Sequence, residues 1–201
     1  MYTSAPGLVY GFHGCDATTA EAVFAGRTTL RASHNDYDWL GHGVYFWEND
    51  YERALQFAQD ARQAPVRSAG RIQQPAVVGA IIELKHCLNL LEQGSLQKLK
   101  DSFEKLTRSA VRNGLRLGEN RMLESEPEPS LRYLDCAVME NLHEYRQRSD
   151  AAPFDSVRGA FWEGRPLYPT AGFRERNHIQ LCIRNPACIK GYFRPLLANA
   201  A

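Results

Sequence analysis

The sequence predicts an α+β protein. Five apolar runs have the length and composition of strands: Leu8–Gly14, Gly41–Trp47, Ala76–Leu84, His178–Arg184 and Ile189–Phe193. Among them lie four stretches with helical spacing, at Thr19–Ala25, from Asn49 or Asp50 to about Arg62, from Ser95 to Asn113, and from Asp135 through Tyr145. The run Gly41-His42-Gly43-Val44-Tyr45-Phe46-Trp47 opens on glycine, which admits a ligand close to the backbone, and closes on aromatic rings, which suit a flat aromatic ligand.

The chain has 201 residues, enough for one domain with a core of its own, and is 44% apolar and 23% charged. Its 24 basic and 23 acidic residues leave a net charge of +1, which by itself argues for no polyanion partner. The charge is unevenly placed. Residues 1–52 carry seven acidic side chains against Arg27 and Arg31, whereas 174–201 carries five basic ones against Glu175. A basic segment beside a cleft attracts phosphate; elsewhere it is a solvated face. The five cysteines are odd in number and none has zinc spacing, so they read as reduced thiols of the core, with no metal expected. There is no charged segment followed by an apolar leader, and no apolar window nears membrane length. The expectation is a cytoplasmic protein without a membrane partner.

Taken in order, the first strand ends at His13-Gly14, and Asp16 or Thr18 caps the helix that Gly26 ends. Thr28–Ser33 returns extended, and His34–Trp39 is a polar, turn-rich loop into the aromatic strand. The helix after it buries Tyr51, Ala54, Leu55, Ala58 and Ala61, with Phe57 at the margin, where it can face a cleft. Pro65–Pro75 is a basic loop before a central strand that is apolar on both faces. Residues 94–148 read as a helical insertion within the single domain: Ser95 caps a helix with the stripe Leu96, Leu99, Phe103, Leu106 and Ala110, residues 115–129 are a charged loop, and Asp135 caps a second helix. Residues 155–176 form a long loop rich in Arg, Gly and aromatics, the kind that often carries function.

Three strand-borne polar residues stand out: His13, Tyr45 and Gln180. With their neighbours they make a constellation. Phe12-His13-Gly14, then Leu30-Arg31, then Gly41-x-Gly43-Val44-Tyr45-Phe46, then a helix with Ala54 and Phe57, resembles the ADP-ribosyltransferase superfamily, on its poly(ADP-ribose) polymerase side. The family's last motif, Glu-x-x-x-x-Asp-Pro-x-x-Ile, is matched by Gln180 to Asn185-Pro186 and Ile189, which puts Gln180 on the glutamate position. The resemblance covers 8–58 and 178–193 and not the insertion.

The resemblance implies two small sheets split about a cleft that holds NAD as co-substrate. It implies a nicotinamide between the Tyr45 and Phe57 rings, its carboxamide on the Gly14 backbone, a ribose hydroxyl on His13, and Arg31 toward the adenosine half. His13, Tyr45 and Gln180 would be the catalytic set. Arg158, Arg165, Arg174 and Arg176 fall in the family's acceptor loop, where they would grip phosphates. His178 shares a strand face with Gln180 and would serve as an acceptor-side base; its other reading is a histidine bonded to a loop carbonyl.

Gln180 departs from the pattern. It accepts a hydrogen bond as glutamate would, without the negative charge, and one lost electrostatic contact typically costs ~10²–10³ in rate. The expected activity is mono-ADP-ribosyl transfer to a macromolecular acceptor, nucleic acid ahead of protein, with Glu175 as a candidate substitute carboxylate. Compact bacterial transferases of this family serve as toxins or defence effectors, which implies a neutralising antitoxin or immunity protein as a partner. Two alternatives stay open: a module that binds NAD or ADP-ribose without chemistry, and a relative of the NAD-dependent RNA 2′-phosphotransferases.

Overall fold

The computed structural model describes residues 7–63, 72–122 and 129–196. Most of the expected 65–75 loop and the end of the 115–129 loop lie outside those residues.

The chain is α+β, with seven strands in one mixed sheet ordered β4-β7-β8-β2-β1-β3-β9. The strands are β1 (Val9–Asp16), β2 (Val44–Glu48), β3 (Pro75–Ile82), β4 (Cys87–Asn89), β7 (Ser156–Phe161), β8 (His178–Ile183) and β9 (Ile189–Phe193). A separate ribbon pairs β5 (Arg121–Met122) with β6 (Pro129–Leu131). The helices are α1 (Ala17–Phe24), α2 (Tyr51–Gln63), α3 (Gln93–Arg112) and α4 (Tyr133–Arg148).

The centre of the sheet is its weakest seam. β1 pairs with β3 over eight residues, and β2 with β8 over four. β1 and β2 pair only at Gly11↔Glu48 and Phe12↔Trp47, extended by one bond from the Asn49 amide to the Tyr10 carbonyl at 2.9 Å. The expected two small sheets therefore meet as two blocks of one sheet, joined over a two-residue stitch.

The faces follow from strand alternation. One face of the sheet buries Val44, Phe46, Leu181, Ile183, Val78 and Ile82 against Ala20 and Val23 of α1. On the other, Trp47 and Val77 pack on Ala54 of α2, while Val157 and Cys182 pack on Met139 and Leu142 of α4 with Leu40 and Leu88. The 94–148 insertion thus supplies part of the core.

Caps decide where the elements begin. Asp16 caps α1, accepting from the Thr18 amide and hydroxyl, and also binds the Gln73 and Gln74 amides. Those four donors hold its carboxyl well below the ordinary carboxylate range. Two expected caps move. α3 starts at Gln93 behind Glu92, so Ser95 lies buried inside the first turn. α4 starts at Tyr133, with Asp135 in its first turn, bound by Asn120 and Arg132.

Residues 156–161, expected as loop, are the strand β7, paired with β8 over six residues. Glycine at 159 is required there, because a Cβ would stand 2.7 Å from the Trp39 ring. The Arg158 charge is neutralised within the sheet by a two-bond pair to Glu48 at 2.6 and 3.0 Å.

Candidate functional site

His13 stands where the stitch ends. Its ring lies on the α1 face, edge-on to Phe46 at 5.8 Å, while Tyr45, one residue before Phe46, points to the opposite face. The histidine leans into the gap between the strands, and its Nδ1 lies 2.7 Å from the Tyr45 carbonyl oxygen. A carbonyl only accepts, so Nδ1 carries the proton and Nε2 has the free lone pair. Burial lowers the His13 pKa against the opposing effect of that bond, which keeps the ring neutral.

That contact frees Gly14. The Tyr10 carbonyl points toward β2, and backbone direction alternates along a strand, so the amide and carbonyl of Gly14 also point into the gap. Continued pairing would set Gly14 against Tyr45. Instead His13 occupies the Tyr45 carbonyl, and the registered pairing of β1 with β2 stops at Phe12↔Trp47, short of Gly14. One donor and one acceptor, side by side, match the edge of a primary carboxamide. Glycine is required at this point for a second reason: a Cβ would collide with the Ala54 carbonyl oxygen of α2.

Tyr45 is committed to its own loop. Its hydroxyl donates to the Gly41 carbonyl at 2.8 Å and accepts from the Leu40 amide at 3.0 Å. Its ring packs with the cluster of Leu40, Met139 and Cys182, and burial drives its pKa well above the ordinary value. Phe57 lies on Trp47, centroids 4.9 Å apart, and is 42% exposed. The ring that Phe57 touches is Trp47, while the Tyr45 ring packs with Leu40, Met139 and Cys182.

Gln180 faces the same side as Tyr45 and Trp47, its neighbours across the β2–β8 ladder. The Trp39 indole donates to its Oε1 at 2.6 Å. An indole N–H is only a donor, so this bond fixes the amide orientation and leaves the Gln180 NH2 as the group that faces outward. The acceptor role expected of Gln180 is thus largely taken by Trp39, and what remains is a neutral donor.

His178 shares this face. Its Nδ1 lies 2.7 Å from the Arg176 carbonyl, and its ring sits between Phe161 at 5.4 Å and Trp47 at 6.1 Å. The expected loop-carbonyl bond is present, and the other nitrogen is buried without a partner. Burial lowers its pKa.

The expected acceptor arginines are engaged within the chain. Arg165 pairs with Glu175 at 3.3 Å, which also commits that carboxylate. Arg174 donates to the Gly164 carbonyl. Arg176 pairs with Asp60 at 3.1 Å and Glu163 at 3.5 Å, and Arg158 is the strut described above. Arg31 is exposed on the segment before Ser33 and makes no hydrogen bond or ion pair among the described residues.

Gly14, Tyr45 and Gln180 thus lie on one face of the neighbouring strands β1, β2 and β8, and the His13 ring lies on the other face. Trp39, Trp47, Arg53, Phe161 and Glu163 join the site without having been expected. Only the aromatic ending of the 41–47 run hinted at Trp47. A surface groove of about 400 Å³ lies elsewhere, between α4 and Arg184, and contains none of these residues. Among the described residues there is no group of three metal-capable side chains and no helix long and apolar enough to cross a membrane. Set against models of known families, curated proteins and solved structures, the chain finds no match.

Proposed function

We propose that the gap between β1 and β2 binds the nicotinamide end of NAD and that the protein is a mono-ADP-ribosyltransferase. The observation that carries this reading is the Gly14 amide, denied the Tyr45 carbonyl by His13 where the β1–β2 pairing stops, beside the neutral His13 and the aromatic wall of Trp47 and Phe57. The Gly14 amide donates to the carboxamide oxygen, and its carbonyl accepts from the carboxamide nitrogen. His13 Nε2 accepts from a ribose hydroxyl. Breaking the bond from ribose C1′ to nicotinamide sends the electron pair to the ring, which leaves neutral, and an oxygen of the acceptor, a nucleic acid ahead of a protein, bonds to C1′. Such a site places a carboxylate near the developing cation; on this reading Gln180 takes that place, so transfer is slow or relies on an acceptor that carries its own charge.

A second reading has its own observation. Gln180 Oε1 is occupied by Trp39, and Glu175 is held by Arg165, which favours a module that binds NAD or ADP-ribose without turnover. Nicotinamide release from NAD, measured alone and with RNA, DNA or protein added, separates the two. Transfer predicts release that an acceptor stimulates and that His13→Ala abolishes. Equal release from wild type and His13→Ala with every acceptor contradicts it and leaves the binding module.

A further inference from the structure

Four of the six buried side-chain polar atoms that lack a partner among the described residues gather in one place: Trp47 Nε1, Arg53 Nε and Nη1, and His178 Nε2. The three residues are 4%, 8% and 7% exposed. The Arg53 guanidinium lies 5.5 Å from the Trp47 ring centroid, and the Trp47 and His178 rings are 6.1 Å apart. A buried polar atom left unpaired loses its hydration with nothing in return, so a cluster of them calls for an occupant.

The inventory says what kind. Trp47 and Arg53 are donors, and the guanidinium is joined only through Nη2, to Glu163 at 2.5 Å. His178 holds its proton on Nδ1, so its Nε2 is the cluster's one acceptor. Several donors around a cation, with a single acceptor, match an oxyanion that also carries a hydroxyl. Asp50 is occupied capping α2 through the Arg53 amide, and Asp60 pairs with Arg176. Glu163 is therefore the carboxylate that stands in an oxyanion's place on Arg53.

We propose that Arg53, Trp47 and His178 form an oxyanion subsite for a phosphate monoester, closed in this structure by Glu163. Trp47 and Arg53 donate to the phosphate oxygens, and the protonated oxygen donates to His178. Entry requires the segment carrying Glu163 to lift from α2, where its ion pairs to Arg53 and from Arg176 to Asp60 hold it. Because Trp47 pairs with Gln180 across the ladder, a phosphate held here lies next to the gap. The subsite stands beside the NAD reading and needs no NAD to fill.

The test is the Trp47 indole resonance in a ¹H–¹⁵N spectrum, with the Val78 and Ala80 backbone amides of β3 as internal references for the fold. Inorganic phosphate, at ionic strength matched with chloride, shifts Trp47 saturably in the wild-type protein. Glu163→Gln binds about tenfold more tightly, because the competing carboxylate is gone. Arg53→Gln loses the response, and Arg53→Lys, which keeps the charge without the fork, weakens it if Arg53→Gln fails to fold. A 5′-phosphorylated oligonucleotide that shifts Trp47 supports the monoester and identifies a nucleic-acid end as its source; a response to inorganic phosphate alone overturns the monoester assignment. A 5′-hydroxyl oligonucleotide acting equally well overturns the monoester assignment. Trp47 unmoved by phosphate in both wild type and Glu163→Gln, with the reference resonances in place, overturns the subsite.

Discussion

His13 Nδ1 lies 2.7 Å from the carbonyl oxygen of Tyr45, and that bond replaces the one that the Gly14 amide would make if β1 and β2 stayed paired. A side chain thereby ends a ladder at a chosen residue. It satisfies the carbonyl of one strand and leaves the facing glycine of the other open.

Removing the imidazole strands the Tyr45 carbonyl. His13→Ala is expected to lower stability by about 1–3 kcal/mol, the cost of an unpaired buried group. It also removes the ribose contact, so nicotinamide release falls by ~10² or more. Urea unfolding and the release assay check the two effects separately. A variant of unchanged stability contradicts the structural role.

Gly14→Ala drives a methyl into the Ala54 carbonyl. Overpacking of this kind costs about 1–3 kcal/mol. The expected outcome is a lower unfolding midpoint together with loss of NAD binding, since α2 must shift away from the gap. Calorimetric titration with NAD checks the binding, and wild-type affinity in this variant contradicts the placement of the carboxamide.

Gln180→Glu restores a carboxylate at the gap while keeping an acceptor for the Trp39 indole. Nicotinamide release is expected to rise by ~10²-fold, the worth of one aimed electrostatic contact. Trp39→Phe alone frees the amide to rotate and raises release far less. An unchanged rate in Gln180→Glu places Gln180 outside the chemistry.

Acid is expected to destabilise the fold. Burial lowers the pKa of His13 and His178, and of His143 to about 4. In the unfolded chain these histidines titrate near ~6.5, so below that value the unfolded state binds more protons and stability is lost as pH falls. The urea midpoint should drop between pH 7 and pH 5, and His143→Gln should flatten the slope. A midpoint constant over that range contradicts the assignment of neutral buried histidines.

The sequence made the strands at 8–14, 41–47, 76–84, 178–184 and 189–193 legible because each is a continuous apolar run. It also made the Asp16 cap legible, because the Asp-x-Thr pattern is local. β7 was not, since its strand character comes from pairing with β8 and from an arginine neutralised by the distant Glu48. Ser95 looked like a cap by type and is a small residue buried inside α3. His13, Tyr45 and Gln180 stood out by residue type and position, and Gly14 through the family resemblance. The Trp39–Gln180 bond joins residues 141 apart, and no periodicity announces it. The packing of Phe57 on Trp47 depends on which face each strand residue takes, and no local pattern announces it.

The role proposed for Gly14 is to receive the carboxamide of NAD. The most direct measurement is the amide resonance of Gly14 in glycine-labelled protein during titration with NAD and with free nicotinamide. A saturable shift is expected with both ligands and is lost in His13→Ala. A Gly14 resonance that neither ligand moves contradicts it.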